Sequence, residues 1–341
     1  AVGYCNGVGN ALIERCDLKI GGNYVDQHTG EWMDIWSQLA IPKGKQDNYN
    51  NMIKKTNNFV VSNFQGGKLY IPLFFWFCQN TNYNNTPFVL PMVSLRNNEI
   101  EIIIKFRGFH EVLFSNDNTL PTQELKVENA SMLTDYIVLA EQERSSYLLP
   151  KKHMYLMNQI QSQVYTIESG KTDVSISMRN FKYPITEILF IVRRDDNKNS
   201  KKYFNYSNST LAIGGTNPIK KARLTFDGRD RIAELDASYF TQVEPSKVHD
   251  SIPNSFIHCY SFSLQPENMA QPSGCCTFSE IYEPMLHLTM NEGNTSSEIH
   301  LFAINYNVLQ IDKSGNAWLL HNLSKSAPAI IPSESSGSDN C

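Results

Sequence analysis

Long apolar runs, a basic surplus, paired-cysteine motifs and catalytic signatures are all missing from this sequence, and each absence excludes something. No stretch of about 18 apolar residues occurs in the 341, so no helix is expected to span a membrane. The opening AVGYCNGVGN has neither a basic start nor a long apolar core and does not read as a signal peptide. Lys and Arg number 30 against 34 Asp and Glu, a net charge of −4, which gives no electrostatic footprint for direct nucleic-acid binding. The seven cysteines (Cys5, Cys16, Cys78, Cys259, Cys275, Cys276 and Cys341) are odd in number and show no CxxC spacing. They read as small buried hydrophobes of an intracellular product, and adjacent Cys275 and Cys276 would face opposite sides of a strand and not pair.

GxSxG, the P-loop, HExxH and GxGxxG are absent, and Gly214-Gly215-Thr216 lacks the Lys-Ser/Thr that phosphate cradling requires. The eight histidines (His28, His110, His153, His249, His258, His287, His300 and His321) never fall at ligand spacing from one another, so each reads as structural or solvated. Asp195-Asp196 and Asp227…Asp230 read as turn residues using their carboxylates for local backbone bonds. No catalytic residue, metal or cofactor is assigned.

Apolar and aromatic material is plentiful, at 41% and 11% of residues, and 341 residues are long for one β domain and comfortable for two. The chain is organised around Phe256 to Ile281. Phe256 to Leu264 alternates apolar with small polar side chains, the pattern of a strand buried on one face. Pro266, Pro272 and Gly274 then break the pattern before Cys275 to Ile281 resumes as a strand. Earlier, Leu12 to Ile20 reads as a strand and Gly21-Gly22-Asn23 as a turn. In the helix from Gly30 to Leu39, Trp32, Ile35, Trp36 and Leu39 share one face and are expected to cover a sheet. Pro42 to Asn58 reads as a polar connection, Leu69 to Phe77 as an apolar strand covered on both faces, Tyr83 to Thr86 as a turn and Glu99 to Phe106 as an alternating strand. Leu133 to Leu139 reads as a strand and Ala140 to Leu148 as a short helix, with Pro150 and Lys151-Lys152 marking a boundary.

Beyond that boundary, strands are expected at Val174 to Met178, Glu187 to Val192, Lys221 to Phe226, Leu286 to Met290 and Ile299 to Ile311. Arg193 to Pro218 is expected to be a large exposed loop, and Ser324 to Cys341 an extended tail. A weak internal repeat runs through this order. Leu18 to Val25 with its Gly-Gly turn and following helix is echoed by Leu224 to Arg231 followed by Ala237 to Phe240. Two copies of one β unit, with short strands and long loops, favour jelly-roll sandwiches.

The stretch YSFSLQPENMAQPSGCCTFSEI resembles a passage of the major capsid proteins of the large icosahedral DNA viruses, the chlorovirus, iridovirus and mimivirus-like group. IGGNYVDQHTGEWMDIWSQL, LYIPLFFWF with its Leu90-Pro91 loop, the DGRDR turn and AINYNVLQI resemble further passages of that family in the same order. The residues carrying the likeness are Gly21, Gly22, Trp32, Trp36, Pro72, Trp76, Pro91, Asp230, Arg231, Tyr260, Phe262, Pro272, Gly274 and Phe278.

The resemblance implies an all-β protein of two tandem antiparallel jelly-roll β-sandwiches with short helices in the loops. They are divided as 1–149 and 150–323 with a tail at 324–341. The family begins with another strand-rich segment, which implies a first barrel without its opening strands here. The implied function is a virion protein forming trimeric pseudo-hexagonal capsomers that tile an icosahedral shell. Implied partners are copies of itself, neighbouring capsomers, minor capsid proteins and an internal membrane beneath the shell. Two alternatives stay open. One is a minor capsid or vertex protein; the other is a carbohydrate-binding jelly roll, for which Tyr203, Phe204 and Tyr206 beside Asp195-Asp196 would be the platform. Glycosylation sequons stand at Asn84, Asn129, Asn205, Asn208, Asn294 and Asn322.

Overall fold

Two hairpins of one design set up the two halves of the chain. The computed structural model describes residues 2–56, 66–78, 88–115, 126–148, 152–211, 215–293, 295–321 and 330–332. In the first half, β1 (Val2–Tyr4) and α1 (Val8–Leu12) lead into β2 (Ile13–Ile20), which reverses at Gly21-Gly22 into β3 (Asn23–His28). Both glycines have positive φ, 59° and 77°, as a two-residue turn needs if its twist is to match the strands. Helix α2 (Gly30–Ala40) follows, with the Thr29 hydroxyl accepting a hydrogen bond from the Trp32 amide at its N-terminus. Then come α3 (Lys43–Ile53), β4 (Ile100–Phe106), α4 (Phe109–Val112), β5 (Leu113–Ser115) and α5 (Glu141–Leu148). β2 is the middle strand of a sheet ordered β3-β2-β4, and β1 pairs with β5.

The second half runs through β6 (His153–Ile167), β7 (Asp173–Ser177), β8 (Pro184–Arg194), α6 (Asp195–Asn199), β9 (Ile219–Phe226) and β10 (Arg229–Asp236). The β9–β10 turn, Asp227-Gly228, has φ of 50° and 75°, and a π turn at Tyr239–Val243 running into α7 (Glu244–Val248) follows it. The repeat legible in the sequence is thus a repeat of geometry. β11 (His258–Ser261), β12 (Cys276–Thr277), β13 (Pro284–Met290), β14 (Ser297–Ile311), β15 (Ala317–Leu319) and β16 (Ile330–Pro332) complete the chain.

Eight of these strands form two antiparallel sheets, β11-β8-β14-β6 and β10-β9-β13-β7. Along the chain the first of the eight lies beside the last and the second beside the seventh, which is the winding of a jelly roll. Their facing sides share one core: Ile188, Phe190, Val192, Ile299 and Leu301 from one sheet, and Val174, Ile176, Leu224, Leu286 and Leu288 from the other. β8 and β14 are nevertheless buried along almost their whole length. Their alternate residues, Leu189, Ile191, Phe302 and Ile304, enter a second core with Trp32, Ile35, Trp36 and Leu39. Helix α2 therefore covers the back of the second half's sheet, and both strands are apolar on both faces because both faces are covered.

Several sequence expectations are corrected. Leu69 to Phe77 is no strand: it runs irregularly into a 3₁₀ turn at Trp76–Cys78. Pro72 offers no donor there, and aromatic contacts replace a ladder, with Phe75 stacked on His28 at 4.5 Å. Pro42 to Asn58 contains α3, which turns Tyr49 and Ile53 inward against α1. Leu133 to Leu139 forms no strand and pairs with none of the described residues, and Leu133 to Val138 are exposed. Phe256 to Leu264 contributes only the four residues of β11, and the expected alternation fails, since Ile257, His258 and Cys259 are all buried. After the loop, Cys275 to Ile281 gives two strand residues and a 3₁₀ turn at Phe278–Glu280. Arg193 to Pro218 is no exposed loop, since Tyr203, Phe204 and Tyr206 are buried in the core under α2. Of the tail, Ile330–Pro332 runs parallel beside β6. Cys78 and Cys275 are exposed, unlike buried Cys5, Cys16 and Cys259. The turn at Tyr83 to Thr86, the boundary residues Pro150 and Lys151, and Cys341 lie outside the described residues.

Candidate functional site

The polar groups that hold the two halves together converge on Glu31, at the start of α2. Glu31 Oε1 accepts from Arg107 Nη2 and from Arg193 Nη1, each at 2.8 Å. Arg193 continues to Glu298 Oε2 at 2.9 Å, and Glu298 also accepts from Lys198 Nζ at 2.5 Å. Arg107 donates to the carbonyls of Ala11 and Ile13 and lies 4.6 Å from the centre of the Tyr203 ring. Burial alone would raise the Glu31 pKa, but Arg107 and Arg193 outweigh it and hold the carboxyl down at about 2. His300 sits 3.1 Å from Glu298, at ion-pair distance, yet burial first and Arg193 second push its pKa down, so this contact is the hydrogen bond of a neutral ring.

A second set of bonds runs through Asp34, also on α2, which pairs with Lys55 and accepts from Tyr206 Oη at 3.1 Å and Gln38 Nε2 at 2.9 Å. Ser255 Oγ donates to Gln38 Oε1 at 2.7 Å, and Ser251 N to Leu39 O at 3.1 Å. The joint is thus a charged and polar rim around the Trp32–Trp36 stack, whose ring centres lie 5.4 Å apart.

The sequence-motif residues fall into two groups. Gly21, Gly22, Trp32, Trp36, Pro72, Trp76 and Pro91 lie in the first half; Pro91 is buried and opens a turn whose carbonyl accepts from the amides of Ser94 and Leu95. In the second half, Tyr260, Phe262, Phe226 and Phe278 form an aromatic cluster with ring centres 5.1 to 6.2 Å apart, and Arg231 lies over Phe262. Asp230 is paired with Arg223 at 2.6 Å at the surface. Pro272 is exposed, while Ser273 Oγ accepts from Gln265 N at 2.8 Å and meets Ser263 Oγ at 2.7 Å, pinning the loop.

Gly274 closes that loop with φ 145°, and a Cβ there would lie 2.5 Å from the Phe262 carbonyl oxygen. Gly274→Ala is therefore expected to cost at least 1–3 kcal/mol in urea unfolding. Gly22→Ala, strained in φ but meeting no atom within 4 Å, should cost less. Equal losses at the two positions would contradict the close approach.

Of the sequons, Asn129 is exposed and Asn208 is half-buried. Asn205 is buried, its Nδ2 donating to Ser209 O and its Oδ1 accepting from Ser207. Asn84, Asn294 and Asn322 lie outside the described residues. The sugar platform is not formed: Tyr203, Phe204 and Tyr206 point into the core, and Asp195 and Asp196 are engaged by Ser296 and Arg194.

Among the described residues, a run of apolar side chains stays uncovered. Leu133 is 86% and Val138 92% exposed, with Met132, Tyr136 and Ile137 also open to solvent. Ile103, Ile104 and Phe106 of β4 are exposed too. Sequence reading missed this exposure because a strand-like apolar run normally signals burial, and missed the Glu31 joint because its charged residues are far apart in the chain.

Residues 143–317 match the family described as large eukaryotic DNA virus major capsid protein, and residues 2–140 match the major capsid protein N-terminus. The chain is 25% identical to the major capsid protein of Phaeocystis pouchetii virus, over 89% of this chain and 79% of that protein. It is 27% identical to the major capsid protein of Paramecium bursaria Chlorella virus 1, over 88% and 77%. Its fold is similar to the crystal structure of PBCV-1 VP54, with a TM-score of 0.72 at 23% identity over 94% of this chain and 86% of that one. The Faustovirus major capsid protein gives 0.67 at 12% identity, over 90% and 73%.

Proposed function

This chain belongs to the large eukaryotic DNA virus major capsid protein family, and from that premise we propose that three copies close into a pseudo-hexagonal capsomer that tiles an icosahedral shell. It is a structural major capsid protein, and its place is the virion capsid. Two jelly rolls per chain under three-fold symmetry place six similar barrels around a ring, so one gene product meets neighbours with near six-fold regularity. The division we adopt is 1–149 for the first barrel, 150–323 for the second and 324–341 for a tail. The eight-strand winding that begins at His153 and ends at Ile311 supports it. Neighbouring capsomers and minor capsid proteins are the further partners of this reading, with an internal membrane beneath the shell. The role in this reading is structural and not enzymatic.

The observation that carries the trimer is the uncovered apolar segment around Leu133 and Val138. Contiguous exposed apolar surface marks an interaction site, and in a capsid protein the partner in greatest supply is another copy. An obligate interface of more than about 2,000 Å² is expected. Light scattering on the purified chain should give a mass near three times 38.8 kDa. Val138→Asp should shift it to the monomer with unchanged circular dichroism. A folded wild-type monomer would overturn the trimer, and a Val138→Asp trimer would move the contact elsewhere.

A further inference from the structure

His249, directly after α7, has a fully buried side chain held between two carboxylates. Its Nε2 lies 2.6 Å from Glu187 Oε1 on β8, and its Nδ1 lies 2.6 Å from Glu267 Oε1 in the loop after β11. The Cys259 thiol on β11, inaccessible to solvent, is hydrogen-bonded to the same ring. One donor atom from each of Glu187, His249 and Cys259 lies within 4.8 Å of the others. Glu187 is itself 0% exposed, and its second oxygen, Oε2, is buried without a hydrogen-bond partner. A buried carboxylate oxygen left unpaired costs about 1–3 kcal/mol, a cost that a cation completing the group would remove.

We propose that Glu187, His249 and Cys259 bind one zinc-class divalent cation, with Glu267 as the carboxylate that orients the histidine. Glu267 accepts a hydrogen bond from Nδ1–H, so that loss of the Nε2 proton on metal binding would leave the Nε2 lone pair facing Glu187; this is the carboxylate–histidine–metal arrangement. Thiolate, imidazole and carboxylate together suit Zn²⁺, whereas a sulfur ligand disfavours Mg²⁺ and Ca²⁺. Metal bonds of about 2.0–2.3 Å set tetrahedral donors roughly 3.3–3.8 Å apart, so the Nε2–Oε1 pair would open as the ion replaces its proton. A cavity of about 140 Å³, lined in part by His249, Asp250, Glu267 and Asn268, opens on the Glu267 side of the histidine ring.

The ion would brace the joint between the halves. The Trp36 ring stands edge-on to His249 at 6.0 Å, and two residues beyond His249 the Ser251 amide donates to Leu39 O at the end of α2.

The test uses the full chain, stripped with a chelator and titrated with Co²⁺ and then Zn²⁺. One Co²⁺ per chain should bind with a thiolate-to-cobalt charge-transfer band and the strong visible absorption of a tetrahedral site. Zn²⁺ should displace it and raise Tm. Cys259→Ser should abolish the charge-transfer band, whereas Cys275→Ser and Cys276→Ser, at the start of β12, should keep it. Should Cys259→Ser fail to fold, Glu267→Gln serves, with affinity expected to fall 10–100-fold while the band position is retained. Folded wild-type chain that takes up no stoichiometric metal, or a band that survives Cys259→Ser, would overturn the site and leave His249 as a charged clamp between two carboxylates.

Discussion

Trp32→Ala should cost about 3–5 kcal/mol and loosen the first half of the chain from the second while leaving the barrel's own core standing. The residue is 2% exposed; its ring stacks on Trp36, meets Phe302 of β14 at 5.6 Å between centres, and lies 6.2 Å from His28. It therefore fills the space between the hairpin of the first half and the back of the second half's sheet, where collapse cannot follow because β14 is fixed from its other face by Leu301 and Ile299. Urea unfolding measures the cost, and hydrogen exchange locates it. Protection should fall in α2, α3 and β2, and should hold in β9 and β13, which have no side chain in the Trp32 core. Uniform loss of protection would mean that the two halves unfold as one cooperative unit and that the joint is not the weaker plane.

That division explains which parts of the protein were legible in the sequence. The α2 face was readable because Trp32, Ile35, Trp36 and Leu39 meet at helical spacing and a local period needs no knowledge of the partner. The Gly21-Gly22 and Asp227-Gly228 turns were readable for the same reason, since positive φ is a demand of the turn itself. LYIPLFFWF misled because apolar content alone does not distinguish a strand from an irregular segment anchored by rings, and Pro72 was the residue that argued against a ladder. The Arg193 to Pro218 segment misled in the opposite way. Its charges and asparagines outnumber three aromatics, yet those aromatics decide its place, while Asn197 and Asn205 satisfy the backbone around them. Glu187, His249, Cys259 and Glu267 carry no local signal at all, because they come from a strand, a helix end, a second strand and a loop, and only the jelly-roll winding brings them together.

Acidification should destabilise the same joint, and Glu31 sets the window. Its carboxyl is held at about 2 in the folded chain against 4.5 as the ordinary value. A group whose pKa is lowered by folding contributes stability that is complete above 4.5 and is lost as pH falls toward 2, because the unfolded chain takes up the proton first. At about 1.4 kcal/mol per pH unit the loss amounts to about 3 kcal/mol. Glu298, held well below its ordinary value first by the hydrogen bond from His300 and then, against burial, by Lys198 and Arg193, acts in the same direction. The neutral, buried His300 adds to the loss from about pH 6.5 downward, since it resists the proton that the unfolded chain accepts. Glu31→Gln separates the terms. The amide keeps the shape but leaves Arg107 and Arg193 without their shared anion, so the variant should be about 3 kcal/mol less stable at pH 7. It has no proton to gain, so its stability curve should run flatter and meet that of the wild type near pH 2. His258, held at about 3 by burial, loads both proteins alike and cancels in the comparison. Urea unfolding of the two chains at pH 7, 5, 4 and 3 measures the gap. A gap that stays constant across that range would show that Glu31 is not the titrating anion of the joint, and the acid sensitivity would then have to come from Glu298 and the histidines alone.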